Sequence, residues 1–122
     1  MALHFLDFDY SEDEEGRSTW DAIASVDRGR LPSLLAEVQS ILAWAEDAFG
    51  ALQGPQELGG LWQYDLQCER AGQPLCELRF DSAQGNVQPP IEAGAAERVT
   101  ISFSLSGGPA FADAFVERFG PQ

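Results

Sequence analysis

The sequence predicts an α+β domain: a five-stranded, mostly antiparallel sheet with two helices packed on one face, in the order β-β-α-β-β-β-α. Three observations carry this expectation. Several segments alternate apolar and polar residues with the two-residue period of a half-buried strand. Two others repeat apolar residues every three or four positions, as a helix with one buried stripe does. The strands are apolar on one side only, which marks an antiparallel sheet with one face covered and one wet. At 122 residues, the length fits a single domain over residues 1–122 with an ordinary core.

The first strand is expected over residues 3–10, with His4, Leu6, Phe8 and Tyr10 on one face and Leu3, Phe5, Asp7 and Asp9 on the other. A second is expected over 19–26, where Trp20, Ala22, Ala24 and Val26 share a face. An acidic loop around 11–17, ending in Gly16, joins the two. The first helix follows. Pro32 suits its opening turn, and Leu31, Leu34, Leu35, Val38, Ile41, Leu42, Ala45, Phe49 and Leu52 form its stripe. Glu37, Gln39, Ser40, Glu46 and Asp47 fall largely off that stripe, and 53–60 reads as a loop.

Residues 61–69 and 75–82 are the clearest strands. Trp62, Tyr64, Leu66 and Cys68 alternate in the first, and Cys76, Leu78 and Phe80 in the second. The two apolar faces must meet, because a one-residue slip turns every side chain over. That favours an odd loop of 71–73 and sets Cys68 opposite Cys76, Leu66 opposite Leu78 and Tyr64 opposite Phe80. Residues 83–96, rich in Gly, Pro and Ala, read as a loop. Val99, Ile101, Phe103 and Leu105 mark the fifth strand. After Ser106, Gly107, Gly108 and Pro109, a last helix buries Phe111, Ala112, Phe115, Val116 and Phe119, and Gly120 with Pro121 stops it.

Composition narrows function more by exclusion than by assignment. Hydrophobic content of 44% and aromatic content of 11% belong to a folded chain. No apolar run reaches the ~18 residues of a membrane span, and the start lacks a signal-peptide pattern. The expectation is a cytoplasmic protein with no membrane association. Every basic residue is arginine, which rules out lysine nucleophiles, Schiff bases and a phosphate-loop lysine. This lysine-free usage, rich in Ala and Gly, suggests a GC-rich bacterial source. The formal charge of −13 and the scattered arginines argue against nucleic-acid binding.

Acidity is densest at residues 7–15, which hold Asp7, Asp9, Glu12, Asp13, Glu14 and Glu15. Glu12, Asp13, Glu14 and Glu15 are expected at a solvated hairpin tip, suited to meeting a basic partner. Asp7 and Asp9 share a strand face with Asp21. If Phe8 pairs near Trp20, Asp7 faces Asp21 directly, and a divalent cation is one way to relieve that repulsion. An EF-hand loop is excluded, because Glu12 stands where glycine is required and Ser18 where glutamate is required.

Other candidates read more simply as structure. Cys68 and Cys76 suit buried small hydrophobes, with a bridge open to them in an oxidising compartment. Their number and spacing do not make a zinc site. His4, the only histidine, points away from Asp7, and no Gly-x-Ser-x-Gly elbow accompanies it. Ser106, Gly107 and Gly108 are the one anion-cradle candidate, without a following lysine. Trp44 lies at the border of its helical stripe, where an exposed ring would serve an interface, although a flank tryptophan more commonly covers a core edge. No cofactor is implied.

The expectation is therefore a non-enzymatic interaction domain, inhibitor- or immunity-like, that binds a basic protein. The alternative is a small-ligand or divalent-metal domain, with a ligand lodged between sheet and helices against Trp62, Tyr64 and Phe80 or on the acidic face, and an enzyme built on a carboxylate pocket stands third. Self-association through a sheet edge or Trp44 fits all three readings.

Overall fold

The computed structural model describes residues 5–50, 62–91, 94 and 97–119. In chain order the elements are β1 (Asp9–Glu12), β2 (Ser18–Asp27), α1 (Leu31–Phe49), β3 (Trp62–Arg70), β4 (Cys76–Glu77), β5 (Arg79–Asp81), β6 (Asn86–Gln88), β7 (Arg98–Gly107) and α2 (Pro109–Phe119). Five strands form an antiparallel sheet in the order β1-β2-β7-β3-β4, and β5 pairs with β6 in a separate ribbon. The last strand in sequence is thus the middle strand in space. It pairs along its full length with β2, from Ser18 opposite Gly107 to Asp27 opposite Arg98. On its other side it pairs with β3, from Trp62 opposite Gly107 to Arg70 opposite Val99.

Both helices cover the same side of this sheet. Trp20 of β2 and Trp62 of β3 each meet the Phe111 ring of α2, at centroid separations of 6.1 and 5.8 Å. Trp44 of α1 in turn packs on Phe111, Phe115 and Phe119. The α1 stripe runs as expected through Leu34, Val38, Ile41, Leu42 and Ala45, all fully buried. The α2 stripe is narrower than expected: Phe111, Phe115 and Phe119 are buried, whereas Val116 is 41% exposed. Gly107, read as part of an anion cradle, belongs to β7 and serves packing. A Cβ placed there would lie 2.6 Å from the Phe111 ring, so the missing side chain lets α2 sit down on the sheet. The Gly108 carbonyl accepts the Ala112 N–H and starts the helix.

Three local expectations are corrected. The first strand is shorter and later than 3–10. Leu6 and Phe8 are buried, but the ladder starts only at Asp9. Glu37, expected off the buried stripe, is only 7% exposed and supplies the reason. Its carboxylate accepts the Phe5 N–H at 3.1 Å and the Leu6 N–H at 3.2 Å, so a side chain replaces a strand partner there. His4 lies outside the described residues.

The hairpin tip is likewise tighter than 11–17, because Ser11 and Glu12 belong to β1. The Asp13 carboxylate accepts the N–H groups of Glu15 and Arg17, and Gly16 turns the chain at φ 80°. Residues 75–82, finally, form two strands rather than one. Cys68 does pair with Cys76, and the Leu78 N–H donates to the Leu66 carbonyl as the expected register requires. Gly72, at φ 75°, makes the turn at 71–73. Beyond Leu78 the Phe80 N–H donates instead to the Tyr64 hydroxyl, and the chain leaves β3 for its own ribbon. The Asp81 carboxylate and Gly85 close that ribbon's turn, so β6 lies inside the segment expected to be loop. The expected loop at 53–60, the helix end at Leu52 and the stop at Gly120 and Pro121 lie outside the described residues.

Arg70, at the end of β3, forks onto Glu97, just before β7. Its Nε and Nη2 stand 3.0 and 2.8 Å from the two carboxylate oxygens. The Arg70 hydrogen bond, helped by the Gly94 N–H, holds the Glu97 carboxyl below the ordinary carboxylate range. Among the described residues, no helix is long and apolar enough to cross a membrane.

Candidate functional site

Successive side chains of a strand point to opposite faces, so the buried residues of β2, β7 and β3 leave a second set on the side away from α1 and α2. From β2 this set is Thr19, Asp21, Ile23, Ser25 and Asp27; from β7, Thr100, Ser102, Ser104 and Ser106; from β3, Gln63, Asp65, Gln67 and Glu69. Beyond Arg98 at its start, the middle strand therefore offers small hydroxyls on this face, flanked by the longer Asp21, Ile23, Gln63, Asp65 and Gln67. The result is a trough along β7. One hollow of about 250 Å³ is lined by Asp21, Ile23, Asp65, Ser102 and Ser104. A second of about 210 Å³ is lined by Gln63, Asp65, Ser104 and Ser106.

The ladder registers align three of these residues, together with Asp9 of β1, in one row across the sheet. Asp9 of β1 opposes Asp21 of β2, Asp21 opposes Ser104 of β7, and Ser104 opposes Asp65 of β3. Two strand spacings separate Asp21 from Asp65, or about 10 Å between their backbones. Both are exposed, and the Asp65 carboxylate accepts a hydrogen bond from the Gln67 amide at 3.1 Å. Guanidinium groups stand at the two ends of the trough. The Arg17 Nη2 donates to the Ser106 hydroxyl at 3.2 Å, and the Arg98 Nη2 donates to the Ser25 carbonyl at 3.0 Å. Between them the face is acidic, with Ile23 standing 73% exposed beside Asp21.

The expected site residues separate into groups. Asp9 and Asp21 face each other, but Asp7 does not face Asp21. Tyr10 rather than Phe8 pairs with Trp20, a shift of two residues that brings Asp9 into the place expected for Asp7. Asp7 is exposed ahead of the strand. Among the described residues, no three His, Cys, Asp or Glu side chains gather closely enough to hold a metal ion. Glu12 ends β1 opposite Ser18 and accepts the Tyr10 hydroxyl at 3.1 Å, so it lies in the ladder and not at the tip. Asp13 organises the turn, and Glu14 and Glu15 project from it into solvent. Trp44 is half-buried, with its ring against Phe49, Phe111, Phe115 and Phe119.

Of the three residues considered for a ligand between sheet and helices, Tyr64 and Phe80 are half-buried and Trp62 is enclosed by protein. Trp62 is 0% exposed, stacks within 2° of parallel on Phe111, and donates its indole N–H to the Phe49 carbonyl. Asp65 is the residue that the sequence did not bring into the site. Its face was readable from alternation, but its place beside Ser104 follows from a strand order that alternation does not encode. No family model matches the chain, and no curated protein or solved structure matches it.

Proposed function

We propose that this is a small, acidic, non-enzymatic interaction domain, inhibitor- or immunity-like, that binds a basic protein through the open face of its sheet. The observation that carries the reading is the cross-strand row of Asp9, Asp21, Ser104 and Asp65 on a face that neither α1 nor α2 covers. Like charges set directly opposite across strands disfavour pairing, so the carboxylates of Asp9 and Asp21 oppose the fold that holds them. A basic side chain laid in the trough relieves that repulsion, and the small hydroxyls of Ser102 and Ser104 leave room for it. The exposed Ile23 adds apolar contact at the rim. The overall charge of −13 steers a cationic partner toward the domain from a distance.

The test is capture from cell lysate on the immobilised protein. A discrete basic protein should be retained at low salt and released at about 0.5 M salt, where the Debye length is only a few ångströms. Retention of no basic protein at low salt contradicts the reading.

A further inference from the structure

We propose that Cys68 and Cys76 form a reversible dithiol–disulfide site that is oxidised by small-molecule disulfides of the glutathione type. The two residues are direct partners in the β3/β4 ladder, and their side chains share the covered face. The Leu78 to Leu66 hydrogen bond fixes the phase of that ladder. Pairs alternate between narrow and wide types, so Cys68 and Cys76 form a hydrogen-bonded pair with Cα atoms about 5.5 Å apart. That separation falls inside the ~4.4–6.8 Å range of disulfides.

Access differs between the two sulfurs. Cys68 is 3% exposed, whereas Cys76 is only half-buried, with its Sγ 3.6 Å from the Glu77 carbonyl oxygen. An open groove of about 500 Å³ reaches both, walled by Arg70, Gln73, Pro74 and Leu75. A smaller pit of about 60 Å³ lies against the same two cysteines, beside Leu78, Pro89 and Ile91. The expectation that both cysteines are buried hydrophobes thus holds fully for Cys68 and in part for Cys76, which packs half-buried against the core.

The fold also permits the required movement. Directly opposed Cβ atoms in a ladder stand about 4.5–5.5 Å apart, and a disulfide draws them to about 3.8 Å. β4 is two residues long, is the outermost strand, and is followed at once by the departure of the chain from β3. It can shift without disturbing the paired length of β2, β7 and β3. Residual strain at a hydrogen-bonded pair makes such a bond easier to reduce, so it acts as a labile bond and not as a permanent staple.

The chemistry proceeds in two exchanges. The Cys76 thiolate attacks one sulfur of the small disulfide, the S–S bond breaks, and one small thiolate leaves. Cys68 then releases its proton to water and attacks the Cys76 sulfur, expelling the second small thiolate. The net change oxidises two protein thiols to one disulfide and reduces one small disulfide to two thiols. Burial pushes the Cys68 thiol up, and the adjacent Cys76 adds to the shift. Burial still acts on Cys68 once Cys76 is a neutral mixed disulfide, so the second exchange quickens as pH rises.

The experiment treats the native protein with excess oxidised glutathione and follows thiol titre and intact mass. Both thiols should disappear, the mass should fall by two hydrogens, and excess reduced glutathione should restore both. Cys68→Ser should stop as a single glutathione adduct on Cys76. Cys76→Ser, at a half-buried position on the edge strand, should keep its remaining thiol unmodified while folded, and this arm stands even if Cys68→Ser does not fold. Wild-type protein that keeps both thiols, stops at a glutathione adduct, or forms the bond only in denaturant overturns the proposal.

Discussion

The two sides of β7 face opposite surroundings, although they belong to the same ten residues. One side carries Val99, Ile101, Phe103 and Leu105, all buried under the helices. The other carries Thr100, Ser102, Ser104 and Ser106, with Asp21 and Asp65 flanking them. On the covered side each residue is constrained by its neighbours: Gly107 has no side chain because Phe111 occupies the space, and Trp62 is enclosed so completely that its indole N–H needs the Phe49 carbonyl. On the open side most residues are less enclosed, although Ser106 is covered beside Arg17, and like charges oppose each other. Stability and the proposed recognition thus fall on opposite faces of one sheet. Substitutions should therefore separate the two properties.

Phe111→Ala should have the largest effect. The ring touches Trp20, Trp44, Phe49 and Trp62, and its removal leaves a cavity at the junction of both helices and the sheet. A loss of about 3–5 kcal/mol is expected for such a truncation, read as a lower urea midpoint. A loss below about 1 kcal/mol would mean that the covered face is less closely packed than its buried rings imply.

Glu37→Ala comes next. It leaves the N–H groups of Phe5 and Leu6 without their carboxylate acceptor, a cost of about 1–3 kcal/mol. Faster hydrogen exchange at those two amides, with β7 still protected, is the expected signature. That outcome would show that the covered side depends on one polar anchor as well as on apolar packing.

Glu97→Gln should have the smallest effect on stability, and its pH dependence identifies the cause. The Arg70 hydrogen bond lowers the folded-state pKa of Glu97, so its contribution is present above the unfolded value of about 4.3. It is lost as pH falls through the lower folded value. The stability difference between wild type and variant should thus be constant near neutrality and shrink on acidification below about pH 4.3. A difference that grows in acid would contradict the assignment.

Much of the covered face was legible in the sequence, and the reason is local. Alternation from Trp62 to Cys68 fixes a side for each residue, and an odd turn through Gly72 then forces Cys68 onto Cys76. The α1 stripe follows from spacing in the same way. What alternation does not contain is which strands are neighbours. β7 inserts between β2 and β3, which lie far apart from each other in the chain, and only this placement joins Asp21, Ser104 and Asp65 into one row. The shift of β1 was hidden because Glu37, a charged residue at a helical position, substitutes for a strand partner. The break after Leu78 was hidden because Phe80 continues the apolar alternation while its N–H goes to the Tyr64 hydroxyl.

The proposed role of the open face is tested most directly on the double variant Asp21→Asn/Asp65→Asn, compared with wild type for both urea midpoint and capture of a basic protein at low salt. Removing charge from Asp21 relieves its repulsion with Asp9, a gain of about 0.2–1 kcal/mol. The amide oxygen introduced by Asp65→Asn can still accept the hydrogen bond from Gln67. An unchanged or raised midpoint is expected, together with loss of the captured protein. A lowered midpoint, or a variant that retains the partner as well as wild type does, would contradict the division of the sheet into a stabilising face and a recognition face.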